Sequence, residues 1–305
     1  MRFGISIPQL TTTNAFDPVA FRTYLTRAEE LGFDSAWTME QVLGATPFLA
    51  ANEVLSHAAA VTERLRLGCV VYVAALHNPV HLAKTLSTLD QLSRGRLEAG
   101  LGVGAPRVQY SAYEVDPGTR VARLTEGLRL MKALWTQERV TFDGRFWQLD
   151  DAGMEPKPFQ QPHPPVWFGA SHPDALRRTA RLADGFFGAG SSTTDQFVEQ
   201  VPVVRRHLAE FDRDPAEFRI AKRVYIAVDD DADRARQRMD DALVAVYGEF
   251  GKRLSPVAVV GPPDICVREL ERVREAGAEL ILVNPLFDYA EQLERLAADV
   301  LPRLA

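Results

Sequence analysis

Residues 66–103 read RLGCVVYVAALHNPVHLAKTLSTLDQLSRGRLEAGLGV. The first eight, RLGCVVYV, are short, apolar and rich in β-branched side chains, as a buried strand should be. Asn78-Pro79 then reads as a helix entry, and Leu82, Leu86 and Leu89 recur at helical spacing. RLEAGLGV (96–103) returns to a strand. The stretch is one strand–helix–strand unit, and the fold depends on how often that unit repeats.

Outward from it, the same alternation runs along the chain. RFGISIP (2–8) and SAWTM (35–39) precede it as strands. The first is followed by a helix over Phe21, Leu25, Ala28 and Leu31, ended by Gly32, and the second by one over Ala51, Leu55, Ala58 and Val61. Leu124, Leu128 and Met131 carry the fourth helix. VWFGA (166–170), DGFFGAG (184–190), FRIAKRVYIAV (218–228) and LILVNP (280–285) are the later strands, each with a helical pattern behind it. Two stretches interrupt the rhythm. The first, about 139–165, holds a hairpin around Asp143-Gly144 and a proline-rich loop; the second is an irregular insert at 248–261. Eight strand–helix units in a single domain, 1–305, suit a (β/α)8 TIM barrel of α/β class with two insertions. A doubly wound open sheet has the same local alternation, and the pattern alone leaves it open.

The composition sets further bounds. The chain is 46% hydrophobic and 25% charged, ample for a sizeable core, with a net charge of −6. An acidic balance argues against nucleic acid, since phosphate binding needs a basic footprint. Two distant cysteines, Cys69 and Cys266, form neither a zinc spacing nor a disulfide framework, as expected of a cytoplasmic protein. MRFGISIPQL is no secretory signal, and no run of about 18 apolar residues is present to cross a membrane. His77 and His81 lie four apart, but without a HExxH pattern or carboxylates, so no metal site is expected.

In a barrel, chemistry sits at the C-terminal ends of the strands. Gln9, Glu40-Gln41, Gly102–Ala105, Ala170–His172, Gly188–Ser192 and Asn284 all stand at such ends. GLGVGA (100–105) has dinucleotide-fingerprint spacing, but Pro106 follows at once and no acidic residue closes a second strand. The better reading is a strand end where missing side chains let a flat ligand approach the backbone. In GASHPDALRR (169–178), Ser171 is a helix cap with Asp174 completing a capping box, and the free N–H groups of that helix end suit a phosphate. GAGSST (188–193) offers a second such end. Lys222 and Arg223 are adjacent on a strand, so one points inward and needs an anionic partner.

Taken together, these features resemble the bacterial luciferase-like monooxygenase family. The resemblance runs over nearly the whole chain, most specifically in AEELGFDSAW (28–37), residues 77–104, EGLRLMKALWTQERVTFDGRFW (126–147), PKPFQQPHPPVWFGA (156–170) and GPPDICVRELERVREAGAELILV (261–283). It implies a (β/α)8 barrel and a flavin-type cofactor at the C-terminal mouth, either coenzyme F420 or FMN. It implies a non-prolyl cis bond on strand three, at Cys69–Val70, behind the ring. It places the cofactor against Cys69, Val70, Gly102 and Gly104, with its phosphate near Gly169, Ala170, Ser171, His172, Gly190 and Ser191. A homodimer is also implied.

Three departures qualify the resemblance. Many relatives carry an acidic residue and a His at the end of strand two; here they are Glu40 and Gln41, and Gln41 cannot titrate. The deazaflavin sugar-phosphate dehydrogenases of the family carry a Glu where Ala105 stands, and luciferase a phosphate-binding Arg where Val103 stands. The expected function is therefore F420-dependent hydride transfer to or from a small organic substrate. Glu40 and Gln41 are its catalytic candidates, and Gln9, His77 and Asn284 shape the substrate site. The alternatives are an FMN-dependent monooxygenase and a catalytically weak cofactor-binding protein. The aromatic hairpin (Phe142, Phe146, Trp147) and the 248–261 insert are candidates to cover the mouth, or are surface packing or a dimer contact.

Overall fold

The structure is a computed structural model that describes residues 1–10, 15–44, 46–104 and 110–304. Eight parallel strands close on themselves. They are β1 (Arg2–Ser6), β2 (Ser35–Thr38), β3 (Arg66–Val73), β4 (Leu97–Gly102), β7 (Val166–Ala170), β8 (Gly185–Gly188), β9 (Arg219–Val228) and β11 (Leu280–Asn284). They neighbour one another in that order; β11 pairs with β1 through Arg2↔Leu280, and β8 with β9 through Gly185↔Arg219. The closure excludes the open doubly wound sheet. The hairpin expected around Asp143-Gly144 is present as β5 (Val140–Asp143) and β6 (Gln148–Ala152), paired antiparallel outside the barrel.

The second insert is less irregular than the sequence suggests. After short 3-10 turns over Gly248–Arg253 and Ser255–Val257, Val259–Gly261 forms a strand, β10. It pairs in parallel with Ile226–Val228, the end of β9 that runs beyond the barrel wall.

The helices ring the barrel: α1 (Pro18–Glu30), α2 (Ala51–Val61), α3 (Pro79–Leu92), α4 (Arg120–Thr136), α5 (Pro173–Leu182), α6 (Thr194–Glu210), α7 (Ala232–Tyr247), α8 (Pro263–Glu275) and α9 (Tyr289–Arg295). Their starts follow capping chemistry. Asp17 accepts from the N–H groups of Val19 and Ala20, Asn78 accepts from Val80, and Pro18 and Pro79 open their helices where no N–H is needed. The apolar stripes of the helices meet the outward side chains of the strands in one core, except that of α7, whose Ala235, Met239, Leu243 and Val246 pack with Ala227 and Val260 in a second.

Inside the barrel, Trp37, Trp167, Phe187, Ala221, Leu280 and Leu282 form a separate apolar layer. The ring centroids of Trp37 and Phe187 are 5.0 Å apart, and those of Trp167 and Phe187 5.5 Å, both edge-on. Buried Glu98 accepts from Arg2 at 3.1 Å and from Arg66 and Trp167 Nε1, tying the starts of β1, β3 and β7 to its own strand, β4. The N-terminal end is thus plugged, and the open end is the C-terminal one.

Candidate active site at the barrel mouth

A cleft of about 840 Å³ opens over the C-terminal strand ends. On one side it is walled by Val70, Val71 and Val73 of β3. Here β3 departs from its ladder with β4: Cys69 pairs with Ala99 and Tyr72 with Leu101, so the pairing shifts between them. The non-prolyl cis bond lies inside this bulge, at Val70–Val71 and not at Cys69–Val70 as expected. Cys69 is still in the ladder and fully buried; its thiol is pushed well up by burial and it does not line the cleft. The expected contact moves one residue on, to Val70 and Val71.

Glycines keep that wall accessible. A Cβ on Gly102 would come within 2.6 Å of Val71 Cγ2, and one on Gly169 within 3.1 Å of Val71 Cγ1. Gly104 also lines the cleft and holds a φ of 72°, which favours glycine. Ala105, the position at which sugar-phosphate dehydrogenases of the resembling family carry Glu, lies outside the described residues.

At the next strand ends, Gly169, Ala170, Ser171, His172, Gly190 and Ser191 all reach the cleft. Ser171 is not the cap of α5. Pro173 occupies the first helical position, so the cap falls on His172, whose Nδ1 accepts from the Asp174 N–H at 3.3 Å. Ser171 therefore keeps its hydroxyl out of the capping bond. The α6 end is capped by Thr193 with Gln196 in a reciprocal box. Behind this loop Lys222, 2% exposed, donates to the carbonyls of Ser192 at 2.8 Å and Ala189. Burial, with the Arg223 charge beside it, lowers Lys222 from 10.5 to about 7.

The strand-two end holds the acidic group. Glu40 Oε1 lies 2.7 Å from His77 Nε2, and Oε2 accepts the Val73 N–H at 2.6 Å. The Glu40 side chain is 10% exposed and faces the cleft, while His77 stands behind it and does not line it. Gln41 also lines the cleft, its amide folded close over Gly44.

Two of the expected substrate residues, Gln9 and Asn284, border a small recess beside the cleft and are hydrogen-bonded within the protein. Gln9 donates to the carbonyls of Met39 and Leu49, each at 2.9 Å, and accepts the Met39 N–H at 2.6 Å, so its amide is spent on backbone. Asn284 accepts from Arg223 Nε at 3.1 Å. Of the two inserts, only the second reaches the mouth. Gly248, Phe250 and Leu254 line the cleft, whereas the 139–165 hairpin does not. Phe146 and Trp147 instead lie beside Arg123 of α4. Tyr113, Tyr225 and Tyr247 also line the cleft. Of these only Tyr225 carried a sequence signal, its place on the strand of Lys222 and Arg223. Among the described residues no group of three or more His, Cys, Asp or Glu is placed to hold a metal.

The flat apolar wall, the glycines that bare it and the small-residue loops beside helix ends fit a planar ring carrying a phosphate-bearing tail. The sequence profile of the luciferase-like monooxygenases matches residues 1–256. The chain belongs to the luciferase-like monooxygenase family. A Mycobacterium tuberculosis relative is 42% identical over 133 residues, 43% of this chain and 47% of its own length. The chain thus matches about half the length of that mycobacterial relative. The F420-dependent glucose-6-phosphate dehydrogenase of Beutenbergia cavernae is 30% identical across 95% of this chain and 94% of its own. Monooxygenase RslO1 from Streptomyces bottropensis superposes with a TM-score of 0.83 at 25% identity, covering both chains fully. Among luciferase-like barrels, then, this chain resembles both a deazaflavin dehydrogenase and an oxygenase. No helix among its described residues is long and apolar enough to cross a membrane.

Proposed function

We infer that the protein is an oxidoreductase that uses coenzyme F420 to move a hydride to or from a small organic substrate. The observation that carries this is the bulged Val70–Val71 wall, bared by Gly102 and Gly169. Its fit to a planar ring joins the end-to-end similarity to an F420-dependent dehydrogenase. When bound, the deazaflavin supplies the hydride from the carbon at the flavin N5 position. Val70 and Val71 would back its ring, and Gly169–His172 with Gly190 and Ser191 would hold its phosphate end. Lys222 fixes the carbonyls of that second loop.

The chain's own acid–base group is Glu40. It holds or releases a proton at Oε1, where His77 Nε2 is its partner, while the Val73 N–H fixes Oε2. Gln41 orients a ligand by hydrogen bonding and exchanges no proton. Phe250 and Leu254 of the second insert cover part of the mouth and restrict water. An FMN-dependent monooxygenase is the second reading, favoured by the similarity to RslO1. Against it, Val103 stands at the end of β4 where luciferase carries its phosphate-binding Arg, and among the described residues no Lys or Arg lines the cleft there. A cytoplasmic homodimer organised as one domain over 1–305 completes the proposal.

Separate titrations of the purified protein with F420 and FMN, read by tryptophan quenching, test the reading. Micromolar F420 binding with weaker FMN binding is expected. Tight FMN binding with oxygen uptake would transfer the assignment to the monooxygenase, and binding of neither would sink both.

A further inference from the structure

Arg223 is 6% exposed inside the barrel, and no Asp or Glu among the described residues forms an ion pair with it. Its partners are neutral. Nε donates to Asn284 at 3.1 Å, one terminal nitrogen lies 3.2 Å from the Tyr247 hydroxyl, and the guanidinium lies 4.8 Å from the Tyr225 ring centroid. Its other terminal nitrogen has no partner among the described residues. A guanidinium cannot shed its charge, so burying it without a counter-charge is costly. The chain nevertheless braces it in place and opens it to ligand. Arg223 is the one Lys or Arg among the described residues lining the cleft, and it also borders an adjoining recess of about 20 Å³, room for roughly one water.

Its position across the barrel indicates which ligand it meets. In the closed order β1-β2-β3-β4-β7-β8-β9-β11, β9 stands four strands from β3 in either direction. Arg223 therefore lies opposite the Val70–Val71 wall. A ring held against that wall turns its other face towards Arg223, and the substrate must occupy the space between.

We propose that Arg223 docks an anionic oxygen group of the substrate, a carboxylate being the class that fits. A carboxylate meets a guanidinium through paired charge-assisted hydrogen bonds and supplies the missing counter-charge. The substrate class is then a small organic acid with its reacting carbon held towards the wall. This rests on the reading of the cleft as an oxidoreductase site.

The test compares benzoate with its neutral analogue benzamide, titrated into the full-length protein with and without F420. The fluorescence of Trp37, which borders the same recess, provides the signal. Benzoate is expected to bind at least tenfold more tightly than benzamide. Arg223→Gln should abolish the preference while leaving F420 affinity within threefold. Equal binding of the two probes in the wild type, or a preference that survives Arg223→Gln, would overturn the proposal. So would a tenfold loss of F420 affinity in that variant, which would assign the charge to the cofactor's phosphate. Should Arg223→Gln not fold, Asn284→Asp places a carboxylate against Nε and should erase the preference in the same way; its persistence there refutes the docking role. A protein that binds neither F420 nor FMN but keeps an Arg223-dependent benzoate preference would end the oxidoreductase reading and leave the docking site standing. Cofactor binding without the preference does the reverse.

Discussion

Replacing Lys222 with Met should change how stability depends on pH. The ammonium is lowered from 10.5 to about 7, by burial first and by the Arg223 charge second. The unfolded chain holds the proton up to its ordinary value, whereas the folded one releases it near 7. Between those values the unfolded state binds more protons, so folding stability rises with pH. The contribution is fully present above 10.5 and lost as pH falls through 7. Between pH 7 and 8.5, integrating the proton difference gives a gain of about 1.6 kcal/mol from this one group. Above pH 9 the buried thiols oppose it: burial raises Cys69 well above its ordinary value and Cys266 to about 12. The window is therefore best closed at 8.5. Urea unfolding at half-unit steps measures it, and the wild-type curve should climb relative to Lys222→Met. Parallel curves across that window would refute the reasoning. A neutral amine keeps two N–H groups, enough for the carbonyls of Ala189 and Ser192. The loop therefore survives the titration in the wild type but loses both donors in the Met variant, which should weaken cofactor binding at every pH.

Glu40→Gln should lower turnover by about a hundredfold or more, the scale of a lost general acid or base, while cofactor affinity stays within threefold; single-turnover kinetics separate the two. Gly102→Ala brings a methyl to 2.6 Å from Val71 Cγ2, so it should cost ~1–3 kcal/mol of stability by overpacking and weaken cofactor binding at least tenfold, read by urea unfolding and fluorescence titration. Phe250→Ala should raise KM with little change in melting temperature, because Phe250 lines the cleft and is half-exposed. Trp147→Ala, on the hairpin away from the cleft, should lower the melting temperature and leave KM unchanged.

The barrel was legible because its strands are buried on both faces and read as continuous apolar runs. RLGCVVYV, VWFGA and LILVN each appear in the structure within a residue of where the sequence places them. Val259–Gly261 escaped notice because three residues carry no periodicity, although the ten-residue length of β9 hinted at a partner beyond the barrel. The cap of α5 was misplaced for a different reason. Ser171 is the better capping residue by type, but Pro173 fixes the first helical position and hands the cap to His172. A one-residue rule about proline outweighed a preference about side chains.

The site was harder to read because its working pairs are joined across strands. Glu40 and Gln41 stood out as neighbours, yet Glu40 is bonded to His77, 37 positions away. The bulge explains how they meet. From Cys69 to Tyr72 is three steps on β3, against two on β4 from Ala99 to Leu101, so β3 carries one extra residue. Thr38 of β2 still pairs with Cys69, but beyond that point β3 is displaced relative to the strand beside it. The Val73 N–H then comes to Glu40 Oε2, and the turn that follows delivers His77 to Oε1. One irregularity therefore builds the apolar wall of the cleft and brings the Glu40–His77 pair together beside it. An imidazole absent from position 41 returns from the next loop, behind the carboxylate and away from the cleft. That placement puts Glu40 at the cleft surface and leaves His77 behind it to hold the carboxylate's orientation.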